Sequence, residues 1–437
     1  MRMSVIGCGY LGAVHAACMV TLGHEVVGVD VDARKIEALS RGEAPFFEPE
    51  LADLLAQALA TGRLTFSTDV AAVSGARVHF VCVGTPQKRD SLAADLTYVD
   101  AAVTALLPHL GDGDLVVGKS TVPVGTAGRL AAQVEDAVPG ATLAWNPEFL
   151  REGYAVKDTL TPDRFVYGVP AGESGARVQA LLDEVYATAL AAGTPRIVTD
   201  YATAELVKVA ANSFLATKIS FINAMAELCE VTGADVTQLA DAIGHDERIG
   251  RRFLNAGLGF GGGCLPKDIR AFMARAGELG ADQAVSFLHE VDAINARRRA
   301  RMVDLALEVS GGSVDGVSIA VLGVTFKPNS DDVRDSPALD VAARLAVLGA
   351  HVRVTDPEGM ENARARHPEL DYVQTVDEAV TGADAVLLLT EWKQYRDLDP
   401  EQVGALVGTR AVLDGRNALV PEAWREAGWT YRALGRP

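Results

Sequence analysis

The chain has 437 residues, 49% hydrophobic and 22% charged, a globular balance with room for two or three domains. Its 58 acidic against 40 basic side chains give a formal net charge of −18, which excludes a general nucleic-acid binder but permits a local basic cluster facing a small anion. Five scattered cysteines without CxxC spacing exclude a zinc finger or disulfide framework, and no uncharged apolar run approaches the ~20 residues of a membrane span. With no targeting pattern before residue 4, the expectation is a cytoplasmic protein with reduced thiols and no bound metal.

The first predicted elements are a strand at residues 4–7, an apolar helix, and a second strand ending at Asp30. The turn between strand and helix reads Gly7-Cys8-Gly9-Tyr10-Leu11-Gly12, a GxGxxG fingerprint. Its glycines serve a tight turn, backbone approach to a pyrophosphate and close helix–strand packing, with the phosphate at the helix N-terminus. Asp30, 23 residues past Gly7, is placed to accept ribose hydroxyls and repel a 2′-phosphate, which favours NAD over NADP. Arg34 and Lys35 close by oppose that preference. A further strand is predicted at 78–83.

Residues 201–231 carry apolar side chains at helical spacing without Gly or Pro, between a capping Asp200 and Gly233. A helix of this length is suited to packing against a second subunit, although a buried helix would show the same pattern. Next comes Gly259-Phe260-Gly261-Gly262-Gly263-Cys264-Leu265-Pro266-Lys267-Asp268. The glycines permit close approach of backbone to a substrate, Lys267 is a cation able to favour a thiolate, and Asp268 is able to handle protons. A second strand–glycine–helix–strand–acid unit follows, from residue 319 through Gly323 to Asp356, with a later strand at 385–389. From Gly323 to Asp356 it runs ten residues longer than from Gly7 to Asp30, and it lacks GxGxxG, which fits a loop rebuilt for another ligand. The fold class expected is α/β: two Rossmann-like doubly wound parallel-sheet domains joined by a long central helix. The boundaries expected are 1–199, 200–310 and 311–437.

The cysteine segment resembles the nucleophile signature of the UDP-glucose 6-dehydrogenase group, within the UDP-glucose/GDP-mannose dehydrogenase family. Residues 119–126 (KSTVPVGT), 146–153 (NPEFLREG), 208–212 and 323–336 (GVTFKPNSDDVRDS) resemble further family motifs, in family order. The resemblance implies an NAD-binding domain, a central helix in a homodimer contact and a C-terminal domain holding a UDP-sugar. It also implies oxidation of UDP-glucose to UDP-glucuronate in two NAD-dependent steps. An aldehyde has no hydroxyl from which to lose a second hydride, so thiolate addition and then a thioester complete the reaction.

On this resemblance Cys264 is the nucleophile, Lys208 stabilises oxyanions, and Asn212 lies one turn on along the same helix face. Asp268 and Thr121 hold a water, and Glu148 is the acid/base for thioester hydrolysis. Cofactor contacts fall to Gly7, Gly9, Tyr10, Leu11, Gly12, Asp30, Lys35, Thr85, Thr121, Glu152, Lys267 and Arg334. Substrate contacts fall to Glu148, Phe149, Leu150, Arg151, Glu152, Lys208 and Asn212, then Phe253, Leu254, Asn255, Ala256, Gly257, Gly261 and Lys327. Arg248 matches an arginine that relatives donate across the dimer. Ala256 and Phe253 depart from the Pro and Tyr frequent in relatives, which puts one phosphate contact in doubt. GDP-mannose or UDP-N-acetylmannosamine dehydrogenases share this chemistry. A non-catalytic NAD sensor would not need all of Cys264, Lys208, Asp268 and Glu148, and a one-step hydroxyacid dehydrogenase would need no cysteine nucleophile.

Overall fold

Every strand predicted above forms, and the short apolar runs pair into two separate sheets. The computed structural model describes residues 1–437, which divide into two compact units: 1–211 with Arg270–Ala281, and 212–269 with Asp282–Pro437.

The first unit is built on eight strands: β1 (Arg2–Ile6), β2 (Glu25–Val29), β3 (Leu64–Ser67), β4 (Val78–Val81), β5 (Leu115–Gly118), β6 (Thr142–Trp145), β7 (Phe165–Gly168) and β8 (Arg196–Thr199). Their order is β3-β2-β1-β4-β5-β6-β7-β8, so the chain reverses direction of addition between β1 and β4. The carboxyl ends at such a reversal are where doubly wound sheets take ligands. The sheet is not wholly parallel as expected, because β7 runs antiparallel to β6 through the pair Trp145–Gly168. Alternation along each strand sends side chains to both faces, each covered by helices. Met3, Val5, Val78 and Phe80 pack on the side of helix Tyr10–Thr21, while Ile6, Val81, Val116 and Leu143 pack on the other.

The second unit carries six strands: β9 (Ser318–Leu322), β10 (His351–Thr355), β11 (Asp371–Tyr372), β12 (Ala385–Leu388), β13 (Ala411–Asp414) and β14 (Thr430–Ala433). Their order is β11-β10-β9-β12-β13-β14 and all pairings are parallel. The internal repeat holds in atomic detail. Gly7 and Gly323 turn at φ +89° and +92°, and the next residue's N–H donates at 2.8 Å to Asp30 and Asp356 respectively. Asp356 also accepts from Thr325, Glu358 and Gly359, so in this unit the acidic residue staples its own turn.

The long helix runs Tyr201–Thr232, about 48 Å at 1.5 Å per residue. Asp200 caps it by accepting the Thr203 N–H (2.8 Å), and Gly233 at φ +75° ends it.

Candidate active site

In the first unit the dinucleotide turn has the shape its sequence demands. A Cβ on Gly12 would fall 1.8 Å from the Gly7 carbonyl oxygen, so helix and strand can approach only without a side chain there. At Gly9 a Cβ would meet nothing within 4 Å, and Gly9 caps helix Tyr10–Thr21 without any side-chain bond. That open cradle at helical N–H groups fits a pyrophosphate. Asp30 lies just past β2, nearly buried. It accepts from Cys8 N–H, Asp32 N–H and the Lys35 ammonium (2.8, 3.0 and 2.8 Å), so Lys35 is paired to Asp30 while Arg34 stays in solvent. Thr85, after β4, donates to the Thr121 carbonyl (2.8 Å) and joins the loops after β4 and β5. Tyr10 bonds Glu48, and burial with that bond pushes its phenol pKa up; Leu11 is half-buried against the core.

The loop after β6 brings the carboxylates. Glu148 accepts the Leu150 N–H (2.6 Å) through one oxygen and the Lys208 ammonium (3.2 Å) through the other. Lys208 is 5% exposed, which makes its counter-ion necessary. Phe149 lies under both Lys208 (5.4 Å) and Arg164 (3.8 Å). Arg151 is held bidentate by Asp158, and Glu152 is half-buried beside Tyr10. Lys119 stands in the sequence only as part of the 119–126 motif, yet its ammonium is buried between the Phe80 and Tyr186 rings and donates to Asn146 Oδ1 (3.1 Å). Burial lowers its pKa to about 8. Glu48 is a buried carboxylate that no motif marks, and its flanking Phe46, Phe47 and Pro49 are the one sign of it in the sequence.

In the second unit Asn212 donates to Asp268 (2.7 Å), both buried. Lys208 and Asn212 are thus hydrogen-bonded to different carboxylates, Glu148 and Asp268. The Lys267 ammonium is bonded to Asp268. Cys264 is the exposed cysteine; Cys8, Cys18, Cys82 and Cys229 are buried. Burial raises the Cys82 and Cys18 pKa values to about 12, which keeps those thiols inert, whereas Cys264 sits at the start of helix Leu265–Glu278.

The protein's own packing also requires the glycines of the glycine-rich loop. Cβ atoms on Gly259, Gly261, Gly262 and Gly263 would strike Asn295, the Asp335 carbonyl, the Phe326 ring and the Arg334 guanidinium at 2.1–2.8 Å. The 253–257 segment is mixed. Leu254 and Ala256 turn into the core with Ile222 and Ala226, so only their backbone is left for a ligand. Phe253 adopts φ +65° and is exposed, Asn255 accepts from Arg251, and Gly257 abuts the Gly415 carbonyl. Arg248 and Arg334 fold onto Asp246 and Asp332 two residues before each, and Lys327 lies over Phe326 (5.1 Å). No three His, Cys, Asp or Glu side chains converge as metal ligands, and no helix is long and apolar enough to cross a membrane.

A dinucleotide turn on one doubly wound sheet, a second such sheet without it, and an exposed cysteine with buried Lys and Asn define a nucleotide-dependent dehydrogenase. Models of the UDP-glucose/GDP-mannose dehydrogenase family match three times: the NAD binding domain at 1–190, the central domain at 202–297 and the UDP binding domain at 320–421. The chain belongs to this family. It is 43% identical to UDP-glucose 6-dehydrogenase of Rhizobium meliloti, with all of both chains covered. It is 41% identical to UDP-glucose 6-dehydrogenase TuaD of Bacillus subtilis, covering all of this chain and 93% of that one. A UDP-glucose dehydrogenase structure from Pyrobaculum islandicum superposes with a TM-score of 0.90 at 39% identity, covering 100% and 98% of the two chains. The protein is thus a dehydrogenase with an NAD-binding domain.

Proposed function

We propose that the protein oxidises UDP-glucose to UDP-glucuronate, consuming two NAD and one water per sugar. The observation that carries this is Cys264, an exposed thiol at a helix start within a chain whose other thiols are buried. When bound, NAD supplies the hydride acceptor, and Gly9, the helix start and Asp30 are the groups that would hold it. The C6 hydroxyl gives up its proton to a water held by Asp268 and Thr121 as the first hydride leaves. Cys264 then adds to the aldehyde carbon, the resulting hemiacetal hydroxyl is deprotonated, and the second hydride leaves a thioester. Water attacks the thioester with Glu148 taking its proton, releasing carboxylate and thiol. Lys208 faces the oxyanion at each stage, already desolvated and paired to Glu148.

The remaining assignments belong to the same proposal: cofactor contacts from Lys35, Thr85, Glu152, Lys267 and Arg334, and sugar contacts from Phe149 to Arg151, Phe253 to Gly257, Gly261 and Lys327. The working partition is 1–199, 200–310 and 311–437. The long helix leaves Phe214, Phe221 and Leu228 exposed at seven-residue intervals, which supports a homodimer along that stripe. A thiol that must stay reduced suits the cytoplasm. The test is to supply NAD with UDP-glucose, GDP-mannose and UDP-N-acetylmannosamine separately and count NADH per sugar. Two NADH with UDP-glucose is expected. Turnover confined to another sugar would move the substrate, and one NADH per sugar would remove the covalent mechanism.

A further inference from the structure

Glu48 has no role in the reaction described above, yet it is 6% exposed and richly bonded. It sits in the segment between helices Ala33–Ser40 and Leu51–Ala60. Its Oε1 accepts the Ala155 N–H at 2.7 Å, and its Oε2 accepts the Gly153 N–H at 2.6 Å together with the Tyr10 hydroxyl. The Tyr10 oxygen also lies 3.2 Å from the Gly153 nitrogen, and the Tyr10 ring packs on Phe46 at 4.8 Å. Tyr10 opens the helix at the dinucleotide turn, and Gly153 closes the loop that carries Glu148, Arg151 and Glu152. One carboxylate therefore ties two segments more than 140 residues apart in sequence. Burying an ionised carboxyl is costly unless its lone pairs are filled by well-aligned donors, and here backbone amides and a phenol fill them.

We propose that Glu48 is a positioning residue that locks the Glu148–Gly153 loop to Tyr10, so that cofactor binding and the orientation of that loop depend on one carboxylate. A cap that merely stabilised helix Ala155–Leu160 would not require the phenol. The bond through Tyr10 makes the dinucleotide turn part of the same network. The proposal rests on the reading of the 148–153 loop as part of the reacting site.

The test uses Glu48→Gln, Tyr10→Phe and the double variant of the full chain. An amide oxygen still accepts, but its NH2 group must face an N–H or O–H donor, so at least one bond of the lock is lost. NADH affinity by fluorescence titration is expected to fall about tenfold in Glu48→Gln, the scale of one charge-assisted hydrogen bond. Tyr10→Phe is expected to lose less, and the double variant to be no worse than Glu48→Gln, because both changes cut one network. Exchange of the Gly153 and Ala155 amides should be slow in the parent, slower with NAD, and fast in Glu48→Gln. A variant whose melting temperature falls while NADH affinity and the NAD response of those amides stay within twofold of the parent would leave Glu48 a structural cap and overturn the proposal. Additive effects of the two substitutions would overturn it as well. Should Glu48→Gln fail to fold, Tyr10→Phe decides alone, with unchanged NADH affinity counting against the lock. If the parent oxidises no nucleotide sugar, the substrate reading fails, while the NADH titration and amide exchange still decide the role of Glu48.

Discussion

At Lys119 a full ammonium is enclosed by aromatic rings and one asparagine, with burial pulling its pKa from 10.5 to about 8. That displacement is worth on the order of 3 kcal/mol, at about 1.4 kcal/mol per pH unit. Because the folded value lies below the unfolded one, the cost is fully present below pH 8 and disappears as pH rises from 8 to 10.5. Lys119→Met should therefore raise stability at pH 7 by roughly 1–2 kcal/mol after lost hydrogen bonds are counted, since Asn146 keeps its bond from the Tyr186 hydroxyl (2.8 Å). Denaturant melts at pH 7 and 10 check this, and the advantage of the variant should shrink at the higher pH. An equal advantage at both pH values would show that packing, not charge, decides it. Cys264 calls for a different experiment. Cys264→Ala should stop after the first oxidation, and Cys264→Ser should stall as an ester visible by mass spectrometry. Two NADH per sugar from Cys264→Ala at near-parent rate would mean that a hydrated aldehyde is the second hydride donor. Both residues lie in motifs that stand out in the sequence. The burial of Lys119 was not legible there, because it arises from Phe80 and Tyr186, which no local pattern links to it.

At the scale of elements, the long helix was legible almost to the residue, since its cap, its uninterrupted period and its terminal glycine are all local signals. The glycine-rich loop was legible as a feature but not in its cause, because the atoms that exclude side chains come from Asn295, Phe326, Arg334 and Asp335. The burial of the Leu254 side chain was hidden for the same reason. Its partners Ile222 and Ala226 lie on the long helix, and only the tertiary fold brings them together. The same helix supplies a prediction. Phe214 is 66% exposed, Phe221 49% and Leu228 55%, and residues seven apart stay on one stripe of a helix with a drift of about 20° per interval. If that stripe is covered by a second copy, Phe221→Asp places a charge in the covered face. Light scattering at micromolar concentration should then give a dimer mass for the parent and a monomer mass for the variant. A monomeric parent with full activity would refute the dimer.

At the scale of the whole molecule, the paired strand–glycine–helix–strand pattern was enough to announce two doubly wound sheets. It could not announce that β7 turns antiparallel to β6, since a strand's own sequence carries no direction of pairing. Nor could it divide the middle of the chain, where residues of the long helix and of helix Leu265–Glu278 fall to both units. Two units with separate cores need not melt together, and their ligands differ: the NAD binding domain matches 1–190 and the UDP binding domain 320–421. A ligand at 100 times its dissociation constant stabilises the unit that binds it by about 2.7 kcal/mol. For a unit of this size that is roughly 5–10 °C in melting temperature. Calorimetry should accordingly resolve two transitions, one raised by NAD and the other by UDP. Each should stay nearly in place when only the other ligand is added. A single transition raised equally by either ligand would show instead that the long helix couples the two units into one cooperative block, and the loss of one ligand site would then destabilise the entire chain.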